Sequence, residues 1–141
     1  MYMSNTDCKH TYQDADAPSR VLYKVDGKTL DKIVSLRLRP QDKIGFIKVD
    51  IDGSEAVLFE GGEKTLKEHK PLLFIEYSPF LILKAGRNPK KYFQMLNSEF
   101  FIFWYTGNGL KQVSNKDFNR INEIVKNGIT DFLLSYSPLL S

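Results

Sequence analysis

The chain has 141 residues, with 20 Lys plus Arg against 17 Asp plus Glu and a formal charge of +3. That length suits one domain and falls short of a (β/α)8 barrel, which takes about 250 residues. The small net charge lacks the basic stripe of a phosphate-backbone binder, so no nucleic-acid partner is expected. A hydrophobic content of 42% with 13% aromatics supplies a core rather than wholesale disorder.

Residues 1–20 carry Ser4, Asp7, Asp14, Asp16, Pro18 and Ser19 with no helical or strand period, and read as a flexible N-terminal tail ahead of a domain spanning 21–141. The single cysteine, Cys8, excludes an internal disulfide framework and suits a reducing, cytoplasmic setting. No stretch of signal-peptide type lies in 1–20, and the longest apolar run, 100–105, is far below the roughly 20 residues that cross a bilayer. No membrane span is therefore expected.

Residues 21–25 alternate before the turn signal Asp26-Gly27. Thr29 can then cap a helix whose apolar positions Leu30, Ile33 and Val34 recur at helical spacing, with Pro40 limiting it. Residues 45–53 (Gly-Phe-Ile-Lys-Val-Asp-Ile-Asp-Gly) read as a buried strand. Asp52 and Glu55 have the spacing of a capping box, and Ala56 to Phe59 give the next helix a packing face until Gly61-Gly62 interrupts it. A second helical piece covers 63–69, a second buried strand covers 72–77, and Asn88-Pro89 opens a helix with Tyr92, Phe93, Met95 and Leu96 on its apolar side. Residues 100–105 form the third long strand, with Trp104 in the core. It is closed by Thr106-Gly-Asn-Gly109, and 110–113 folds back as a hairpin arm. Residues 115–126 are helical and 131–136 form the last strand. This alternation predicts an α/β fold with a largely parallel sheet and helices on both faces.

The segment Lys48-Val-Asp50-Ile-Asp52-Gly53-Ser-Glu55 carries the chemistry. Alternate residues of a strand share a face, so Lys48, Asp50 and Asp52 point one way. Ionised side chains are costly within a covered parallel sheet, and they belong at the carboxyl end of the strand, where α/β enzymes open a crevice. Glu76 repeats the pattern at the end of the second strand, so two adjacent strands would bring Asp50, Asp52 and Glu76 to one rim. The bland alternative is an ion pair between Lys48 and Asp50, with Asp52 and Glu55 only capping a helix.

These residues resemble a family. Residues 46–55 (Phe-Ile-Lys-Val-Asp-Ile-Asp-Gly-Ser-Glu), followed by Leu58, Gly61, Pro71 and Leu72-Leu-Phe-Ile-Glu76, are similar to the signature of FkbM-type methyltransferases, a strand I-K-x-D-x-E-G-x-E, a helix with L-x-x-G, then P and a strand ending in E. Thr29-Leu30-Asp31 resembles that family's T-L-D element. Asp52 departs from the usual Glu. The resemblance implies a class I, Rossmann-like fold with an antiparallel strand near the C-terminus, using S-adenosylmethionine to methylate a hydroxyl of a small metabolite or saccharide. It implies Lys48, Asp50 and Glu76 as catalytic candidates, Asp50, Asp52 and Gly53 beside the cofactor, and Glu55, Glu76 and Tyr77 beside the substrate. No strand with a Gly-rich cofactor turn precedes Gly45, so the chain reads as the C-terminal half of that fold, lacking the cofactor-binding half. The first long strand would then be a sheet edge, to be covered by the tail, a second copy or a separate N-terminal half.

Two other readings stand beside it. Asp50-Ile-Asp52-Gly53 superficially resembles the first motif of Mg-dependent haloacid dehalogenase-type phosphohydrolases, although Ser54-Glu55 is unlike that motif and Asp117 and Asp131 stand apart in sequence. The chain also reads as a non-catalytic, truncated methyltransferase-like binding module. Cys8, His10 and His69 are too few for a structural zinc site, and Lys84, Arg87, Lys90 and Lys91 form a modest basic cluster at a helix start.

Overall fold

A computed structural model describes residues 8–11, 24–51 and 53–139. Two strands, β1 (Cys8–Thr11) and β2 (Lys24–Gly27), pair antiparallel, so a strand lies where the sequence shows no strand period. Helix α1 (Leu30–Arg37) follows, and then β3 (Phe46–Val49), α2 (Glu55–Gly61), α3 (Glu63–His69), β4 (Leu72–Tyr77), α4 (Pro79–Lys84) and α5 (Pro89–Glu99). The hairpin β5 (Phe101–Tyr105) and β6 (Leu110–Val113) turns at Gly107 and Gly109, both at positive φ. A 3-10 turn at Asn115–Asp117, α6 (Phe118–Val125) and β7 (Thr130–Ser135) complete the order. Among the described residues no helix is long and apolar enough to cross a membrane.

The fold is α/β, but the sheet is not mostly parallel. Its order is β3-β4-β7-β5-β6; β3 and β4 pair parallel, while the β4–β7, β7–β5 and β5–β6 pairs are all antiparallel. Strands β3, β4 and β5 do run in one direction, as their sequence spacing with helices between them requires. The antiparallel strand that the family resemblance implies near the C-terminus is β7; lying between β4 and β5 it makes two antiparallel pairs, and the β5–β6 hairpin adds a third.

Nor do the described residues place helices on both faces. The connections β3 to β4, β4 to β5 and β6 to β7 each join strands of like direction. The first two progress the same way across the sheet; the third runs back between strands of reversed direction, which is equivalent. The right-handed crossover preference then sends every connecting helix to the same side. The core agrees: Ala56, Leu66, Ile82, Tyr92, Phe93, Leu96 and Ile121 from five helices join Val49, Leu73, Ile75, Tyr77, Ile102, Phe132 and Leu134 from one sheet face. Strand β3 is consequently not a buried strand. It is an edge strand of the described sheet, with Phe46 57% exposed and only Val49 buried.

The Thr29-Leu30-Asp31 element docks α1 onto the α2–α3 junction. Thr29 accepts the Lys32 N–H at 3.2 Å and starts its own helix, while the Asp31 carboxylate accepts the Thr65 and Lys64 N–H groups at 2.8 and 3.2 Å and so caps α3. Approach this close needs glycine opposite. A Cβ on Gly62 would lie 2.9 Å from the Leu30 side chain, and one on Gly61 3.2 Å from Thr29. Helix α5 begins as the sequence predicts, with Asn88 accepting the Lys91 N–H and Pro89 at the first position. Helix α4 is an addition to that prediction, capped by Ser78 through the Leu81 N–H.

The aromatic core centres on Tyr77, Phe93 and Phe132. Tyr77 lies 4.9 Å from Phe132 and stacks on Tyr92 at 6.4 Å with an interplanar angle of 6°. The Tyr77 and Tyr92 hydroxyls are buried without a partner, and burial pushes both phenols well above their ordinary range. Unfolded phenols ionise near pH ~10, whereas the folded chain retains these protons, so stability is whole below that pH and falls as pH climbs past it. We expect the melting temperature to drop steeply above pH ~10 and Tyr92→Phe to blunt that drop. A Tyr92→Phe profile parallel to wild type through the alkaline range would show that Tyr92 does not contribute.

Candidate functional site

Parallel register fixes the rim. Val49 pairs with Ile75, so one residue further Asp50 lies beside Glu76, both at the carboxyl ends of neighbouring strands. In the antiparallel ladder on the other side, Glu76 is directly opposite Asp131 of β7. Three carboxylates therefore cross the sheet in a row, on the face away from the helices. Asp131 is the residue that sequence reasoning misses, because its place depends on the position of β7. The available signal is alternation, which puts Asp131, Leu133 and Ser135 on one face with an acid at one end, as in β4.

Lys48 faces this row from β3. Its Nζ donates to the Asp50 carboxylate at 2.8 Å, with the two side chains 57% and 45% exposed. Hydrogen bonding and charge from Lys48 hold the Asp50 carboxyl below its ordinary value, and Asp50 raises the lysine in return. An ion pair this exposed adds little to stability. Glu76 differs from Asp50. Burial, and then the Asp50 and Asp131 carboxylates, raise its proton affinity, with Lys48 opposing them. The arrangement thus separates a carboxylate held ionised by a lysine from a neighbour predisposed to take a proton.

The remaining candidates lie elsewhere. Asp52 is outside the described residues. Glu55 is 3% exposed, and its Oε1 accepts the Gly53 N–H at 3.2 Å and the Ile51 N–H at 3.4 Å. It closes the turn between β3 and α2 rather than facing a crevice. Ser54, not Asp52, is the residue before α2, and it makes no side-chain cap bond. Tyr77 points opposite to Glu76, into the core at 0% exposure, so the structure does not place it at the rim. Among the described residues no group of three or more His, Cys, Asp or Glu side chains is disposed to hold a metal ion.

Gly53 sits at φ +90°, and a Cβ there would lie 2.7 Å from the Leu81 carbonyl oxygen of α4. The close approach it permits is therefore to the protein's own backbone. Gly53→Ala is expected to cost about 1–3 kcal/mol from backbone strain, read as a lower urea midpoint at constant slope. An unchanged midpoint would mean that the turn relaxes freely.

A cleft of about 470 Å³ opens on the helix side, floored by Phe59, Tyr92, Met95, Phe100 and Tyr136. None of Lys48, Asp50, Glu76 or Asp131 lines it, and two of its cations are already paired, Arg87 with Glu60 at 2.9 Å and Lys67 with Glu63 at 2.6 Å. Arg87 of the basic cluster is thus tied to α2.

Residues 7–120 match the family described as the methyltransferase FkbM domain. The match begins within the stretch read as a tail and ends inside α6. No curated protein and no solved structure matches the chain.

Proposed function

We propose that this chain, which belongs to the FkbM methyltransferase domain family, takes part in methyl transfer from S-adenosylmethionine to a hydroxyl of a small metabolite or saccharide. The observation that carries this reading is the parallel β3–β4 pair, which delivers Asp50 and Glu76 to one rim. Bound there, the donor supplies a methyl group on a positively charged sulfonium. Among the described residues, Asp50, Glu76 and Asp131 against the single Lys48 make a rim of negative charge suited to that cation and to hydroxyl donors. The part of the rim that fits the donor is this set of carboxylates; Gly53 adds no backbone cradle, since the backbone of Leu81 fills the place of its missing side chain.

In-line displacement needs the acceptor oxygen aligned and its proton removed. Glu76 would take that proton, leaving the acceptor oxygen's electron pair free for the methyl group, which the donor would supply by releasing its sulfur as a neutral thioether. Asp50, kept ionised by Lys48, accepts hydrogen bonds from hydroxyls and holds orientation. The test is calorimetry of the purified chain with S-adenosylmethionine, followed by transfer of a labelled methyl group to a panel of hydroxylated metabolites and saccharides. Binding weakened by Asp50→Asn, together with label on an ether oxygen, supports the reading. A folded chain that neither binds the donor nor transfers label overturns it for this chain and leaves the binding-module alternative.

A further inference from the structure

Strand β7 brings a third carboxylate to the rim. Glu76 and Asp131 are partners in the antiparallel register, so their side chains leave the same face a single strand spacing apart. Like charges directly opposite each other on neighbouring strands are unfavourable, and Lys48, the one lysine facing Glu76 among the described residues, is engaged with Asp50 at 2.8 Å. The start of β7 is also held in place. The Trp104 indole N–H donates to the Thr130 hydroxyl at 2.8 Å, one residue before Asp131. Asp131 is therefore fixed across from Glu76, not swung into solvent on a loop.

We propose that Asp131 is a positioning residue of this site: with Asp50 on the other flank, it makes Glu76 the carboxylate at which the acceptor's hydroxyl proton is held. The proposal rests on the methyl-transfer reading for its use, while its physical content concerns Glu76 alone. The charged groups that face Glu76 among the described residues are Lys48 and Asp50 from β3 and Asp131 from β7. Of these, Asp50 and Asp131 raise its proton affinity and Lys48 lowers it. A base whose proton affinity moves toward the working pH accepts a proton more readily in the transition state. Asp131 acts through Glu76 and needs no contact with the acceptor.

The test is an NMR titration of the Glu76 side-chain carboxyl in the full chain, for wild type, Asp131→Asn, Asp131→Glu and Leu133→Ala, each first checked for cooperative melting. Asp131→Asn is expected to move the Glu76 midpoint to lower pH, and Asp131→Glu to restore it. Leu133→Ala changes the same strand without changing charge and is expected to leave the midpoint in place. A folded Asp131→Asn protein with an unmoved Glu76 midpoint overturns the proposal, as does an equal shift in Leu133→Ala. Because the titration contains neither donor nor acceptor, a failure here is distinct from a failure of methyl transfer. Where transfer is measurable, Asp131→Asn should also move the acidic limb of the kcat profile to lower pH, whereas a purely structural role would lower kcat without moving that limb.

Discussion

Replacing Glu76 by glutamine is expected to slow methyl transfer by about 100- to 10,000-fold, the range associated with removing a positioned general base. Glutamine keeps the length and polarity of the side chain and can still meet a hydroxyl, but it cannot take up a proton. KM should therefore change little while kcat falls. Stability should hold or improve, because the substitution removes the central charge from a row in which Asp50 and Asp131 flank Glu76. Single-turnover rates together with thermal melts separate the two effects. A variant that melts as wild type and transfers methyl groups at the wild-type rate would remove Glu76 from the chemistry. The Asp50→Asn variant should behave differently: it frees Lys48 from its 2.8 Å partner and weakens orientation, so its loss should appear in KM as well as kcat.

Phe132→Ala is expected to destabilise the fold by about 3–5 kcal/mol, the usual penalty for emptying a buried aromatic site. Phe132 is fully buried on β7, the middle strand of the five, and its ring meets Tyr77 at 4.9 Å and Phe93 at 5.8 Å. Deleting it takes contacts from β4 and α5 together, and those elements cannot both close on the gap. Small domains have only about 5–15 kcal/mol in total, so much of the molecule should unfold near physiological temperature. Urea unfolding measures the loss, with Ile124→Ala as the comparison. Ile124 is 59% exposed on α6, and its substitution should fall within about 0.5 kcal/mol of wild type. Equal losses for the two variants would mean that the core is not centred where the packing places it.

Much of this architecture is written in local pattern, and the rest is not, for identifiable reasons. The runs that became β3, β4, β5 and β7 are dense in β-branched and aromatic residues, and Asn88-Pro89 marks the start of α5 plainly. Strand direction is a different matter. The run Thr130–Ser135 alternates identically whichever way it is laid into the sheet, so nothing local reveals that β7 runs against β4 and β5. The family resemblance implies an antiparallel strand near the C-terminus but not its place between β4 and β5, and Asp131 was lost with that place. Helix α4 was missed because Pro79–Lys84 is short and apolar nearly all round, although Ser78-Pro79 carries a cap and a first-position proline. The pairing of Asp50 with Glu76, in contrast, needs only two parallel neighbours in register, which the strand-helix-strand spacing already implied. Glu55 has capping-box spacing in the sequence and, by the family resemblance, a place beside the substrate; only the fold shows its carboxylate turned back on the amides of its own loop.

The strand that joins β4 to β5 comes after both of them along the chain. On the ribosome, those two have nothing to hold them side by side until residues 130–135 have emerged, so the sheet assembles only after nearly all of the preceding sequence has been translated. Nascent or prematurely terminated chains that stop short of Thr130 would present two unsatisfied β edges rich in Phe, Ile and Trp, and chaperone capture or precipitation is the fate expected of them.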